Sequence, residues 1–107
     1  MARKLYLVTR SDLPFEQQAV QAAHSLHSFE KEHREVYVTW RDESQTLAFL
    51  AAPNEGALQR LLEKAEWAGV PAAGFLEPDL GNSLTAVAVG PAGKKLCRRF
   101  PLAISGV

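Results

Sequence analysis

The sequence predicts an α/β protein, a three-layer α/β/α sandwich around a small mixed four-stranded sheet, in the chain order β-α-β-α-β-β. Three observations carry this. Four short apolar runs, at Leu5–Thr9, Thr46–Ala51, Ala72–Leu76 and Leu84–Val89, read as strands with covered faces. Two longer amphipathic stretches separate the first three of them. Helical crossovers favour parallel pairing, whereas the short connection between the last two runs favours an antiparallel pair.

Each element has a local reason. Leu5–Thr9 is continuous, apolar and β-prone. Ser11 and Asp12 then make a polar turn, and Pro14 sits just inside a helix start. The helix that follows runs to about Arg41. At 100° per residue its apolar stripe is Phe15, Ala19, Ala22, Leu26 and Phe29, continued by Val36 and Trp40. Weaker helix formers after His33-Arg34 mark a candidate break there, and the stripe phase favours helix over strand for Val36–Trp40. After Thr46–Ala51, Asn54 is the expected N-cap of a second helix with the stripe Leu58, Leu61, Leu62, Ala65 and Ala68. Gly69 and Pro71 stop it. Glu77–Ser83 is a turn-rich loop before Leu84–Val89, which Gly90-Pro91 ends. One short tail helix is expected at Ala92–Arg99.

The chain has 107 residues, 47% of them apolar, which fits one globular domain over 1–107 with a real core. Its single cysteine, Cys97, excludes an internal disulfide and a zinc knuckle and suits a reducing, cytoplasmic setting. The longest apolar run, Leu47–Pro53, is too short for a membrane span. Arg3 and Lys4 are followed by no cleavage-site pattern, so no signal peptide is expected. Twelve basic residues balance twelve acidic ones, which weighs against non-specific nucleic-acid binding. Local basic clusters remain at Arg3, Lys4 and Arg10, and at Lys94, Lys95, Arg98 and Arg99.

Opposite the apolar stripe, Gln17, Gln21, His24 and Ser28 form a line at i, i+4, i+7 and i+11. Imidazole, with an ordinary pKa of about 6.5, serves as base or acid near neutrality. His33 falls on the apolar stripe and His27 at its flank, so neither is a candidate. Asp12 precedes the helix that carries His24, Glu77 and Asp79 follow the third strand, and Thr85 opens the fourth. If the first and fourth strands are neighbours, these groups converge. A carboxylate beside an imidazole orients it and favours its protonated form. No phosphate-cradling glycine loop, nucleophile elbow or metal-ligand spacing is present, so neither metal nor cofactor is expected.

These landmarks resemble the class II, archaeal/eukaryotic-type peptidyl-tRNA hydrolases. That family begins with an apolar strand, an Arg-x-Asp-Leu loop and a helix carrying Ala-Gln-x-x-His-Ala. Here they are Arg10-Ser11-Asp12-Leu13 and Val20-Gln21-Ala22-Ala23-His24-Ser25. Trp40 before Thr46–Ala51, Gly69-Val70-Pro71 for the family's Gly-Leu-Pro, and Thr85-Ala86-Val87-Ala88-Val89-Gly90-Pro91 follow in order. The family's helix-start lysine falls on Gln17, and the aspartate of its Asp-Ala-Gly loop falls on Glu77, with Asp79 next. The likeness is greatest to a divergent branch with a glutamate in that loop. It implies hydrolysis of the ester joining peptide to the terminal ribose of tRNA. His24 is then the base that activates water, and Glu77 or Asp79 orients it. Gln21 and Thr85 hold the substrate carbonyl or ribose, and Arg10, Asp12 and Gln17 complete the substrate-binding set. The implied partner is tRNA or peptidyl-tRNA, and a homodimer is compatible. The alternative is a non-catalytic tRNA- or protein-binding module on the same scaffold.

Overall fold

The first apolar run forms β1 (Lys4–Arg10), and every other strand is placed by it. On one side it pairs in parallel with β2 (Thr46–Ala52), Leu5 opposite Leu47 and Thr9 opposite Ala51. On the other it pairs antiparallel with β4 (Ser83–Val89), Val8 opposite Val87. The outer strand β3 (Ala72–Glu77) pairs antiparallel with β4, giving the order β2-β1-β4-β3. This is the arrangement in a computed structural model that describes residues 3–104. The one-domain expectation over 1–107 extends past those residues at both ends. The condition on which the candidate groups converge, that the first and fourth strands be neighbours, is therefore met, and the sheet is mixed.

Helices cover both faces. Helices α1 (Phe15–Glu32) and α2 (Arg34–Glu43) lie on one side, over Leu5, Leu7, Ala73 and Ala88. Helices α3 (Glu55–Ala68) and α4 (Lys94–Cys97) lie on the other, over Tyr6, Val8, Val87 and Val89. Alternation along β1 sends successive side chains to the two layers, which is why a strand buried on both faces reads as one apolar run. The expected tail helix is shorter than Ala92–Arg99, a 3-10 turn at Pro91–Gly93 followed by α4.

The long helix does break at His33. This residue leaves the helical region (φ −131°, ψ 57°), and its Nε2 lies 2.9 Å from the carbonyl oxygen of Ala72, at the start of β3. The bend turns α2 back over the sheet. Trp40 becomes buried, and its indole N–H donates to the carbonyl of Thr46 at 2.8 Å. Helix α3 behaves as its sequence says. Asn54 Oδ1 accepts from the Ala57 N–H at 3.0 Å, and Gly69 closes the helix in the left-handed region at φ 69°. Leu58, Leu61 and Ala65 have no exposed surface. Each buried leucine contributes about 1.5–3 kcal/mol.

The face of α1 that meets the sheet is not the expected one. Ala22 and Phe29 are buried as the stripe requires, but Ala19 is exposed. Gln18, Gln21 and Ser25 are buried in its place. The reason lies beneath the helix, where the sheet presents the hydroxyls of Thr9 and Thr85 rather than hydrocarbon alone.

Candidate active site

A β-bulge prepares the site. Phe75 pairs with Ala86 and Leu76 with Leu84, so Thr85 is the extra residue on β4. The bulge breaks the strand's alternation. Leu84 and Val87, three residues apart, both join the α3 layer, and the Thr85 side chain turns to α1. Its hydroxyl donates to Gln21 Oε1 at 2.6 Å, with the Phe75 carbonyl a longer second acceptor at 3.3 Å. The Thr9 hydroxyl in turn donates to the Thr85 carbonyl at 3.3 Å.

Gln21 passes this order to a carboxylate. Its Nε2 donates to Glu77 Oε1 at 2.8 Å. The amide has one chemically sensible orientation, because a flip would set its carbonyl against the carboxylate. The second carboxylate oxygen, Oε2, accepts from the Asp79 backbone N–H at 3.2 Å. These bonds hold the Glu77 carboxyl below its usual range, the Gln21 amide first and the Asp79 N–H second. Partial burial opposes them, and the nearby His24 charge adds a smaller downward push. Glu77 is thus an anion anchored at the mouth of the α1–β4 packing.

His24 sits one helical turn beyond Gln21 and is exposed. Its ring lies nearly parallel on Phe75, with centroids 4.5 Å apart and planes at 20°. Among the described residues the ring makes no hydrogen bond, to Glu77, Asp79 or any other group. The two acids therefore divide their duties differently from the simplest expectation. Glu77 reaches the His24 side of the site but bonds to Gln21, and Asp79 contributes its backbone.

The remaining expected residues are placed as follows. Gln21 and Thr85 are 1% and 0% exposed, so Gln21 does not lie on the outward line with Gln17 and His24 that the helical spacing suggests. Their polar atoms hold Glu77 and each other, because burial without partners would cost about 1–3 kcal/mol per group. Gln17 is exposed, with no bond to the cluster. Arg10 and Asp12 form a bidentate pair, Nε to Oδ1 at 2.9 Å and Nη2 to Oδ2 at 3.0 Å. Nη1 of Arg10 also reaches Ser83 Oγ and the Leu84 carbonyl, each at 3.4 Å. The pairing holds the Asp12 carboxyl below its usual range and locks the β1–α1 loop to the start of β4. The basic residues near the C-terminus are exposed in the layer opposite His24, Lys94 and Lys95 on α4 and Arg98 and Arg99 just after it. Cys97 is buried, and burial pushes its thiol up to about 12, so it has no thiolate chemistry near neutrality. No group of three potential metal ligands exists among the described residues.

Two participants escape sequence reasoning. Phe75 gives His24 its platform, and Thr9 braces the bulge. A signal for Thr9 was present, since it is the one aliphatic hydroxyl in the run Leu5–Thr9. Phe75 carried none, because its role depends on α1 crossing β3.

A family model described as peptidyl-tRNA hydrolase PTH2 matches residues 3–101. Among solved structures, the chain is similar to a protein of unknown function from Agrobacterium tumefaciens strain C58. The TM-score is 0.68 at 13% identity, over 97% of this chain and 99% of that one. At that identity the likeness speaks for the fold alone. No curated protein matches the sequence.

Proposed function

This chain belongs to the peptidyl-tRNA hydrolase PTH2 family, and on that premise we propose that it cleaves the ester of peptidyl-tRNA with His24 as general base. The observation that carries the reading is the Glu77 anion fixed beside an exposed imidazole by a buried amide and a bulged threonine. His24 takes a proton from water as its oxygen attacks the ester carbonyl carbon. The negative charge of Glu77 stabilises the imidazolium that forms. The tetrahedral intermediate then expels the ribose oxygen, which recovers the proton. The products are a free peptide acid and tRNA with its terminal hydroxyl restored. Glu77 acts on His24 through its charge, and Gln21 and Thr85 are positioning residues. The setting is the cytoplasm, where peptidyl-tRNA arises during translation. No helix among the described residues is long and apolar enough to cross a membrane.

The test is ester loss from an N-acyl-aminoacyl-tRNA. A positioned general base contributes about 10²–10⁴-fold, so His24→Ala should slow turnover by that factor. The fold should persist, since the side chain is exposed. Equal rates in the two proteins remove His24 from the mechanism. A second reading, a non-catalytic tRNA- or protein-binding module, is favoured by the neutral Gln17 at the helix start. It predicts salt-dependent tRNA retention without turnover.

A further inference from the structure

A cavity of about 410 Å³ opens beside the start of α1, within the range of small-ligand sites. Its walls come from the β1–α1 loop, the first turn of α1, the end of β2 and the tail; Ser11, Leu13, Phe15, Gln18, Pro101 and Leu102 are among them. None comes from β3 or β4, so it lies on the other flank of α1 from Glu77.

Two polar features of this wall lack partners. Gln18 is 6% exposed; its Nε2 donates to the Leu13 carbonyl at 2.8 Å, and its buried Oε1 accepts nothing. The Leu13 bond fixes the amide's orientation, so the orphan is an acceptor. Helix α1 also begins without a side-chain cap, since Pro14 stands at the capping position. Its first N–H groups are donors in search of an acceptor. An anion would suit the helix start but not Gln18, and a hydrocarbon would suit neither. A peptide supplies one donor and one acceptor per residue, together with a side chain for the apolar walls.

We propose that this cavity seats the peptidyl arm of the substrate, an extended peptide with an apolar side chain against Phe15 and Leu102 and a backbone N–H directed to Gln18 Oε1. The inference rests on the peptidyl-tRNA reading above. The spacing agrees with it. Strand β2 at the cavity and strand β3 beneath His24 are three strand intervals apart, about 14 Å, which about four extended residues span. The tail that forms the outer wall is held to β2 by two backbone hydrogen bonds of 2.9 Å, Ala51 N–H to Pro101 O and Ala103 N–H to Phe49 O. It leaves Leu102 67% exposed, an apolar surface available to a ligand.

The probe is N-acetyl-trileucine amide, which has no ester to cleave. It is titrated by NMR into the wild type, Ser11→Trp and Leu102→Glu. Both variants change exposed side chains at the cavity, so one serves if the other folds poorly. The expected result is perturbation of Phe15 and Gln18 signals, and affinity weaker by on the order of tenfold in the variants. Their KM for a trileucyl-tRNA bearing an N-acetyl group should rise by a similar factor, with KM for N-acetyl-leucyl-tRNA unchanged. Probe binding that bypasses Phe15 and Gln18, or that both folded variants leave untouched, overturns the seat even if both esters are hydrolysed. Probe binding as expected with neither ester hydrolysed retains the peptide seat and removes the hydrolase reading.

Discussion

Helices α1 and α3 pack on opposite faces of the same sheet and are buried by opposite means. The stripe of α3 is Leu58, Leu61 and Ala65, which requires only hydrocarbon beneath it. The stripe of α1 includes Gln18, Gln21 and Ser25, and it is stable because specific acceptors and donors wait for it. The apolar helix holds the sheet together. The polar one spends part of its burial on placing a carboxylate. The comparison teaches that a binding or catalytic face can lie inside the packing interface, with only its outermost groups in water.

The comparison can be broken from the α3 side first. Leu61→Ala should cost about 2–5 kcal/mol, the range for a fully buried leucine, read as a lower midpoint in denaturant. The turnover of the remaining folded protein should be unchanged. From the α1 side, Gln21→Leu should cost less, about 1–3 kcal/mol, for the bonds lost by Thr85 and Glu77. Its effect on turnover should be the larger one. A misplacement of about 1 Å in a group that supports the reacting centre can cost on the order of 10²-fold, and without Gln21 the Glu77 carboxylate keeps only the Asp79 N–H. A Gln21→Leu protein with lowered stability and full activity would make the two helices equivalent.

The smallest effect belongs to the Arg10–Asp12 pair. The Asp12 side chain is 42% exposed, so solvent screening limits the pair to less than about 1 kcal/mol. Because pairing lowers the folded-state pKa of Asp12, the contribution is present above the ordinary carboxyl value of about 4 and fades as the pH falls through the lowered one. Asp12→Asn should therefore unfold slightly earlier than wild type at neutral pH, by a margin that shrinks in high salt and vanishes in strong acid.

What could be read from the sequence follows the same division. The strands, the α3 caps and the break at His33 depend on residues near one another in the chain, and they were legible. The arrival of Glu77 and Thr85 near α1 was legible only on the condition that β1 and β4 be neighbours, which the structure supplies. The rotation of α1 was not. Ala19 fits an apolar stripe better than Gln18 or Gln21 does, and only partners outside the helix, the Leu13 carbonyl for Gln18 and Glu77 and Thr85 for Gln21, reverse that ranking. Gln21 is 56 residues from Glu77 and 64 from Thr85, beyond any helical or hairpin spacing. The bulge that turns Thr85 inward was hidden for a related reason, since Leu84–Val89 reads as an ordinary buried strand.

The central claim is that Gln21 holds the Glu77 carboxylate in its charged form beside His24. An NMR titration of the Glu77 side-chain carboxyl carbon, in wild type and in Gln21→Leu, tests it most directly. The wild-type carboxyl should titrate below the ordinary glutamate value of about 4.3, and the variant's should move back up toward it. Superimposable curves for the two proteins would mean that the amide does not hold the acid.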